Sequence, residues 1–213
     1  MVNAPAFSPK LAGLSTVAVV STSATGCEGL EDKWPAIHAG TPEPTTFVTT
    51  GDPTMQPTRN TLPENIRSQS VELLNKHLAA AIDLHAQMKQ AHWNVRGPAF
   101  IAIHELFDKV SIEVENYSDL IAERARGLGG TAHGTVQVAA ERSYLIPYPL
   151  GIADEQQHVF AVSGTLAAFG QSIREAIGQA TSFGDANTGD LFTEISRGID
   201  QQLWFVESHI AHK

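Results

Sequence analysis

The stretch "AHWNVRGPAFIAIHELFDKVSIEVENYSDLIAERARGLGG", Ala91 to Gly130, decides how this chain folds. Gly97 stops one helix, and Pro98 suits the first turn of the next. From Pro98 to about Leu128, apolar residues recur at three- and four-residue steps. They are Ile103, Phe107, Val110, Val114, Tyr117, Ile121, Ala125 and Leu128. That period is helical, and "LGG" at 128–130 signals a helix C-terminus. The same stretch carries His92, His104, Asp108, Asp119 and Glu123, five potential metal ligands within 32 residues.

Upstream, "SQSVELLNKHLAAAIDLHAQMKQAHWNV" places Leu74, Leu78, Ile82, His85 and Met88 on one helical face, which predicts a first helix from about Ser68. Downstream, residues 131–153 form a long connection containing Pro147 and Pro149, in which "TAHGTVQVAAERS" has room for a short helix. Asp154 is a good N-cap for a third helix reaching about Thr181. "SFGDANTGD" reads as a turn, and a fourth helix is expected from about Asp190 to His209. The fold class is therefore all-α. Its simplest architecture is a four-helix bundle with one long crossover between the second and third helices.

Composition narrows the function. The chain has 213 residues, 42% of them apolar, with a formal net charge of −9. The acidic balance disfavours nonspecific binding to nucleic acid or anionic membrane and attracts cations. One cysteine, Cys27, excludes an intramolecular disulfide and a cysteine-based zinc site. No apolar run is long enough to span a membrane. Residues 1–62 form a separate Pro-rich extension, expected to be disordered, ahead of a domain at 63–213; eight of the eleven prolines fall in residues 1–63. "LAGLSTVAVVSTSATGC" is a weak match to an export signal ending at a lipidated cysteine, and Met55 precedes a second possible start. Cytoplasmic location, with the nucleoid as a possible site, is the main expectation; export through the extension is the minor alternative.

On a helical wheel, Asp108, Asp119 and Glu123 fall about 40°, 60° and 100° from His104, on one stripe beside the apolar one. His104 and Asp108 are about 6 Å apart along the axis, as are Asp119 and Glu123, but about 16 Å separates Asp108 from Asp119. Metals need ligands at roughly 2 to 2.5 Å, so one ion cannot reach both pairs in one chain. Two copies of the helix crossing antiparallel about a two-fold axis near Ile112–Glu115 would bring the His104/Asp108 end of one to the Asp119/Glu123 end of the other, making two equivalent sites. His92, at the end of the preceding helix, would join from the histidine side. Mixed imidazole and carboxylate suits ferrous iron, manganese or zinc. The competing reading is an ordinary surface pair at i, i+4.

"KQAHWNVRGPAFIAIHELFD" followed by "YSDLIAERARGLGG" resembles the signature of the Dps family, the mini-ferritins named as DNA-binding proteins from starved cells. The spacing H-x11-H-x3-D-x10-D-x3-E is filled at every position, and the resemblance runs over about 150 residues, from "TRNTL" to "LWFVESHI". It implies a ferritin-like four-helix bundle with a short extra helix between helices 2 and 3. It also implies a hollow shell of twelve subunits built from two-fold dimers, with non-haem iron sites at the dimer interface. His92, His104 and Asp108 would come from one subunit, Asp119 and Glu123 from the other. Such sites oxidise Fe(II), usually with hydrogen peroxide in preference to dioxygen, and the Fe(III) is stored as an oxide. Glu123 would be the bridging or strongest carboxylate ligand. Asp108 would bind a second, weaker iron or act through a water. Trp93 would stand beside the centre and accept an oxidising equivalent, with a packed core aromatic as the alternative. Lys89 would pair with an acidic ligand and tune the second iron position.

Other motifs are weaker. Glu155-Gln-Gln-His158 has the Glu-x-x-His spacing of di-iron bundles, but it occurs once and in a first helical turn, where an acidic residue suits the dipole. His209 and His212 are read as structural, and His85 as a core or interface residue. Several members of the family it resembles bind DNA through a lysine-rich terminal tail, because phosphate contacts supply most nonspecific affinity. Residues 1–62 hold only Lys10, Lys33 and Arg59 against Glu28, Glu31, Asp32, Glu43 and Asp52. DNA binding is therefore expected to be weak or absent. The functional alternative is a DNA-condensing structural protein with little oxidation chemistry.

Overall fold

The computed structural model describes residues 55–210. The readings made on residues 1–54, and on His212, lie outside the described residues. The described chain forms five helices: α1 (Glu64–Asn94), α2 (Phe100–Gly127), α3 (Val136–Arg142), α4 (Glu155–Phe183) and α5 (Ala186–Glu207). No strand occurs among the described residues beyond one isolated bridge, Arg96 to Asp154. No described helix is long and apolar enough to cross a membrane. The result is a four-helix bundle of two hairpins, α1–α2 and α4–α5, with the short α3 in the crossover.

The apolar period of α2 becomes the core. All eight residues from Ile103 to Leu128 named above are buried. Leu74, Leu84 and Met88 of α1, Phe169 and Ile173 of α4, and Phe192 and Ile195 of α5 meet them from the other helices. Burying a side chain of this size removes about 1.5–3 kcal/mol of unfavourable hydration. The bundle therefore needs no cross-link.

Helix ends follow local chemistry. α1 starts four residues earlier than its periodicity suggests. Pro63 precedes its first turn, and Arg67 donates from Nε to the Leu62 carbonyl (3.1 Å) and from Nη1 to that of Leu128 (2.8 Å). Residues 55–62, assigned by composition to the N-terminal extension, run along the bundle here. The Gln56 amide donates to the Gly129 carbonyl (2.7 Å), and Met55 and Leu62 pack on the core. α2 ends with Gly129 at φ 87° and the Gly130 amide donating to the Ala125 carbonyl, a closure that favours glycine. Asp154 caps α4, accepting from the amides of Gln156 and Gln157.

The fourth long helix corrects the sequence reading. The turn is not the nine residues 182–190 but Gly184 and Asp185 alone, and α5 starts at Ala186 rather than Asp190. Gly184, at φ 89°, turns the chain. Asp185 then caps α5, accepting from the Thr188 amide (3.1 Å) and hydroxyl (2.6 Å) and from Arg124 Nη2 (2.7 Å). A long-range charge from α2 thus braces the Asp185 cap.

The crossover is stitched to α1. Asn75 donates to the Thr131 carbonyl and accepts from the His133 amide. Asp83 accepts from the Ser143 hydroxyl, and Gln87 donates to the Ile146 carbonyl. Polar side chains on α1 therefore satisfy the backbone that a long connection would otherwise leave unpaired.

Candidate metal centre

The turn joining α1 to α2 brings His92 and His104 together. Glu155, at the start of α4, accepts from the Ala99 amide (3.0 Å) and so caps α2 from outside. Gly97 leaves room for that carboxylate, since a Cβ there would lie within 2.1 Å of Glu155 Oε2. With the turn held, the two imidazoles stack, centroids 3.7 Å apart and planes 21° from parallel.

Their hydrogen bonds are reciprocal. His92 Nδ1 donates to the His104 carbonyl and His104 Nδ1 to the His92 carbonyl, both at 2.8 Å. A carbonyl only accepts, so each Nδ1 carries the proton and each Nε2 keeps its lone pair. Backbone oxygen behind one ring nitrogen is the arrangement that orients histidine for a metal on the other.

Asp108 stands one turn past His104. Lys89 Nζ donates to its Oδ1 at 2.5 Å. That hydrogen bond and the Lys89 charge outweigh partial desolvation and hold the Asp108 carboxyl below its ordinary range. The same ammonium lies 5.9 Å from the Trp93 ring centroid. Trp93 is 67% exposed, which removes the packed-core alternative for it within one chain.

Asp119 and Glu123 lie further along the unbroken α2, both exposed. The helical rise puts Asp119 about 16 Å from Asp108. Among the described residues, no three His, Cys, Asp or Glu side chains of the one chain stand together to hold a metal. The paired imidazoles and the two carboxylates thus stand as separate groups on the chain. Ile101 and Ile112, both mostly exposed, share the surface stripe that carries them.

The Glu-x-x-His motif is used elsewhere. Glu155 is the cap just described. His158 is buried, with Nδ1 2.7 Å from the Tyr148 hydroxyl, and burial lowers its pKa, keeping the ring neutral. The His209 carbonyl accepts from Gln156 at 2.9 Å. Sequence reasoning did not find the carbonyl pins, because backbone acceptors have no residue code. Nor did it find the anchor behind the carboxylate end, where Arg124, next to Glu123, pairs with buried Asp185. An arginine beside the apolar stripe was its only trace.

Comparison with known proteins agrees with this architecture. Residues 71–212 match the ferritin-like domain. The DNA protection during starvation protein of Agrobacterium fabrum is 42% identical over 156 residues, covering 73% of this chain and 96% of that one. Among solved structures, Dps from Mycobacterium smegmatis in a tetragonal crystal form superposes with TM-score 0.70 at 29% identity, covering 74% of this chain and 94% of the other. Dps from Microbacterium arborescens in its high iron form gives 0.66 at 33% identity, covering 72% and 99%. Bundle, short crossover helix and sequence kinship converge: the chain belongs to the Dps family and carries a ferritin-like domain.

Proposed function

We propose that the protein is a ferroxidase and iron-storing mini-ferritin, with ferrous iron as substrate at sites shared between two subunits. His92, His104 and Asp108 would face Asp119 and Glu123 of the partner subunit across a two-fold axis near Ile112–Glu115. Six such dimers would close a dodecameric shell. The reciprocal carbonyl pins carry this reading, because they leave two parallel imidazoles with both Nε2 lone pairs ready for a cation. Exposed Ile101 and Ile112 on the ligand stripe support burial of this face by a second copy.

The residues divide the work. The imidazoles supply neutral donors, and the carboxylates balance the cation's charge and favour the ferric product. Glu123 is assigned as the strongest carboxylate ligand. Asp108, held by Lys89, takes the second and weaker iron, directly or through a water. One hydrogen peroxide accepts two electrons from two ferrous ions and is reduced to water. Trp93, beside Lys89, is placed to accept an oxidising equivalent when only one iron is bound. Ferric oxide would accumulate inside the shell, removing peroxide and free ferrous iron together. DNA would be protected by that removal and not by contact, since net charge −9 per chain repels phosphate. Absence of a gel shift with linear duplex at low salt is expected; tight retardation without divalent cation would refute it.

The direct test is anaerobic ferrous titration followed by one oxidant at a time. Saturable binding and rapid ferric absorbance with stoichiometric peroxide, slower with air, are expected. Glu123→Gln should lower the initial rate by at least about 100-fold with the oligomer intact. Unchanged oxidation would remove Glu123 from the site.

A further inference from the structure

The α1–α2 seam repeats its geometry one heptad away from the histidine pair. His85 precedes His92 by seven residues on α1, and Ser111 follows His104 by seven on α2. His85 Nδ1 lies 3.1 Å from the Ser111 carbonyl oxygen and 3.2 Å from its hydroxyl. The carbonyl again fixes the proton on Nδ1 and leaves the lone pair on Nε2. His85 is half-buried, so the ring is held while its outer edge meets solvent. Glu115, exposed, stands one turn past Ser111 on the same side of α2, about 6 Å along the axis. With Ile82, Ser118 and Asp119 it lines a shallow depression of about 320 Å³.

We propose that His85 Nε2 and the Glu115 carboxylate bind a divalent transition cation at a second, weaker position beside the primary site. One imidazole and one carboxylate, completed by water, suit ferrous iron, zinc or manganese and give magnesium or calcium little advantage. The position lies about 10 Å along the seam from the histidine pair. That is too far to share an ion with it, and near enough to hold one in waiting. That the bound cation is iron on its way to oxidation rests on the ferroxidase reading; the cation site itself does not.

Zinc, which is not oxidised, separates the two. In wild type, calorimetric titration should show tight sites plus two weaker zincs per chain, one at Asp108 and one at His85. His92→Ala/Asp108→Asn/Glu123→Gln should remove the tight binding and the Asp108 position and keep one weaker zinc per chain. Adding His85→Ala, or separately Glu115→Gln, should weaken that remaining zinc at least about tenfold with the oligomer intact. No residual zinc, or residual zinc indifferent to both changes, overturns the proposal. If tight binding survives His92→Ala/Asp108→Asn/Glu123→Gln, the ferroxidase assignment of those residues falls instead. His85 is then judged in wild type alone, where loss of one weak zinc per chain on His85→Ala supports the proposal and no loss overturns it.

Discussion

The two ends of α2 carry comparable ligand pairs in opposite states of preparation. At the N-terminal end, backbone carbonyls pin the stacked imidazoles, and Lys89 holds Asp108. At the C-terminal end, Asp119 and Glu123 are exposed, with no hydrogen bond or ion pair to the described residues. Two carboxylates one turn apart repel by about 0.2–0.5 kcal/mol on an isolated helix. No ion pair among the described residues offsets this. In the proposed shared site the arranged end and the unpartnered end would be complementary halves, and a two-fold axis is the simplest operation that would join them.

The sharpest way to break this comparison is complementation. His92→Ala/His104→Ala and Asp119→Asn/Glu123→Gln should each abolish ferrous oxidation. Co-assembled in equal amounts, half of the dimers are hybrids, and each hybrid has one complete site. The mixture should recover about a quarter of the wild-type rate. A mixture as inactive as its components would end the split-site reading.

A smaller effect tests how the carboxylate end is held. Arg124, beside Glu123, reaches from α2 to Asp185, whose side chain is only 1% exposed. Asp185→Ala removes the α5 cap and leaves the guanidinium unpaired, and should cost about 3 kcal/mol of stability in denaturant unfolding. Burial alone would raise the Asp185 pKa. The Thr188 hydroxyl and amide and the Arg124 charge outweigh burial, and the net shift is downward. The sign follows from linkage: the folded carboxyl binds a proton less readily than the unfolded one. This stabilisation is complete above about pH 4 and is lost as pH falls from there through the lower folded value. Asp185→Ala should flatten that part of the acid-stability curve; an unaltered curve would show that the pair contributes nothing.

What the sequence disclosed tracks what has a period. The α2 core was legible because each turn repeats an apolar residue, and the separation of the two ligand pairs was legible because helical rise is fixed. The start of α5 was not. Its cap, Asp185, is braced by Arg124, 61 residues away, and a partner that distant leaves no local pattern. Histidines also look alike in a sequence. His77 is sealed between Tyr144 and Phe192, where burial lowers its pKa to about 3. His85, His92 and His104 are half-buried along the seam, each with Nδ1 on a carbonyl. Only packing separates the sealed imidazole from those with an open nitrogen. The extended segment at 55–62 was hidden for a similar reason, since its composition is that of a linker and its anchors are the Gly129 carbonyl and Arg67.

The smallest expected effect concerns Lys89, because it belongs to the prepared end yet competes with the cation. Its ammonium occupies an Asp108 oxygen that iron would need, so the first iron at that position must displace it. The side chains are 26% and 40% exposed, which limits the ion pair to about 1 kcal/mol or less. Lys89→Met keeps the aliphatic stem and removes the charge. Asp108 stays ionised at neutral pH because its ordinary pKa is already about 4. Ferrous binding at the weaker position should then tighten, by no more than about fivefold, in anaerobic titration. Tightening would show that the lysine guards the aspartate until metal arrives. Weakening would show that it positions the carboxylate, and that the histidine end is arranged by the ammonium as much as by the backbone.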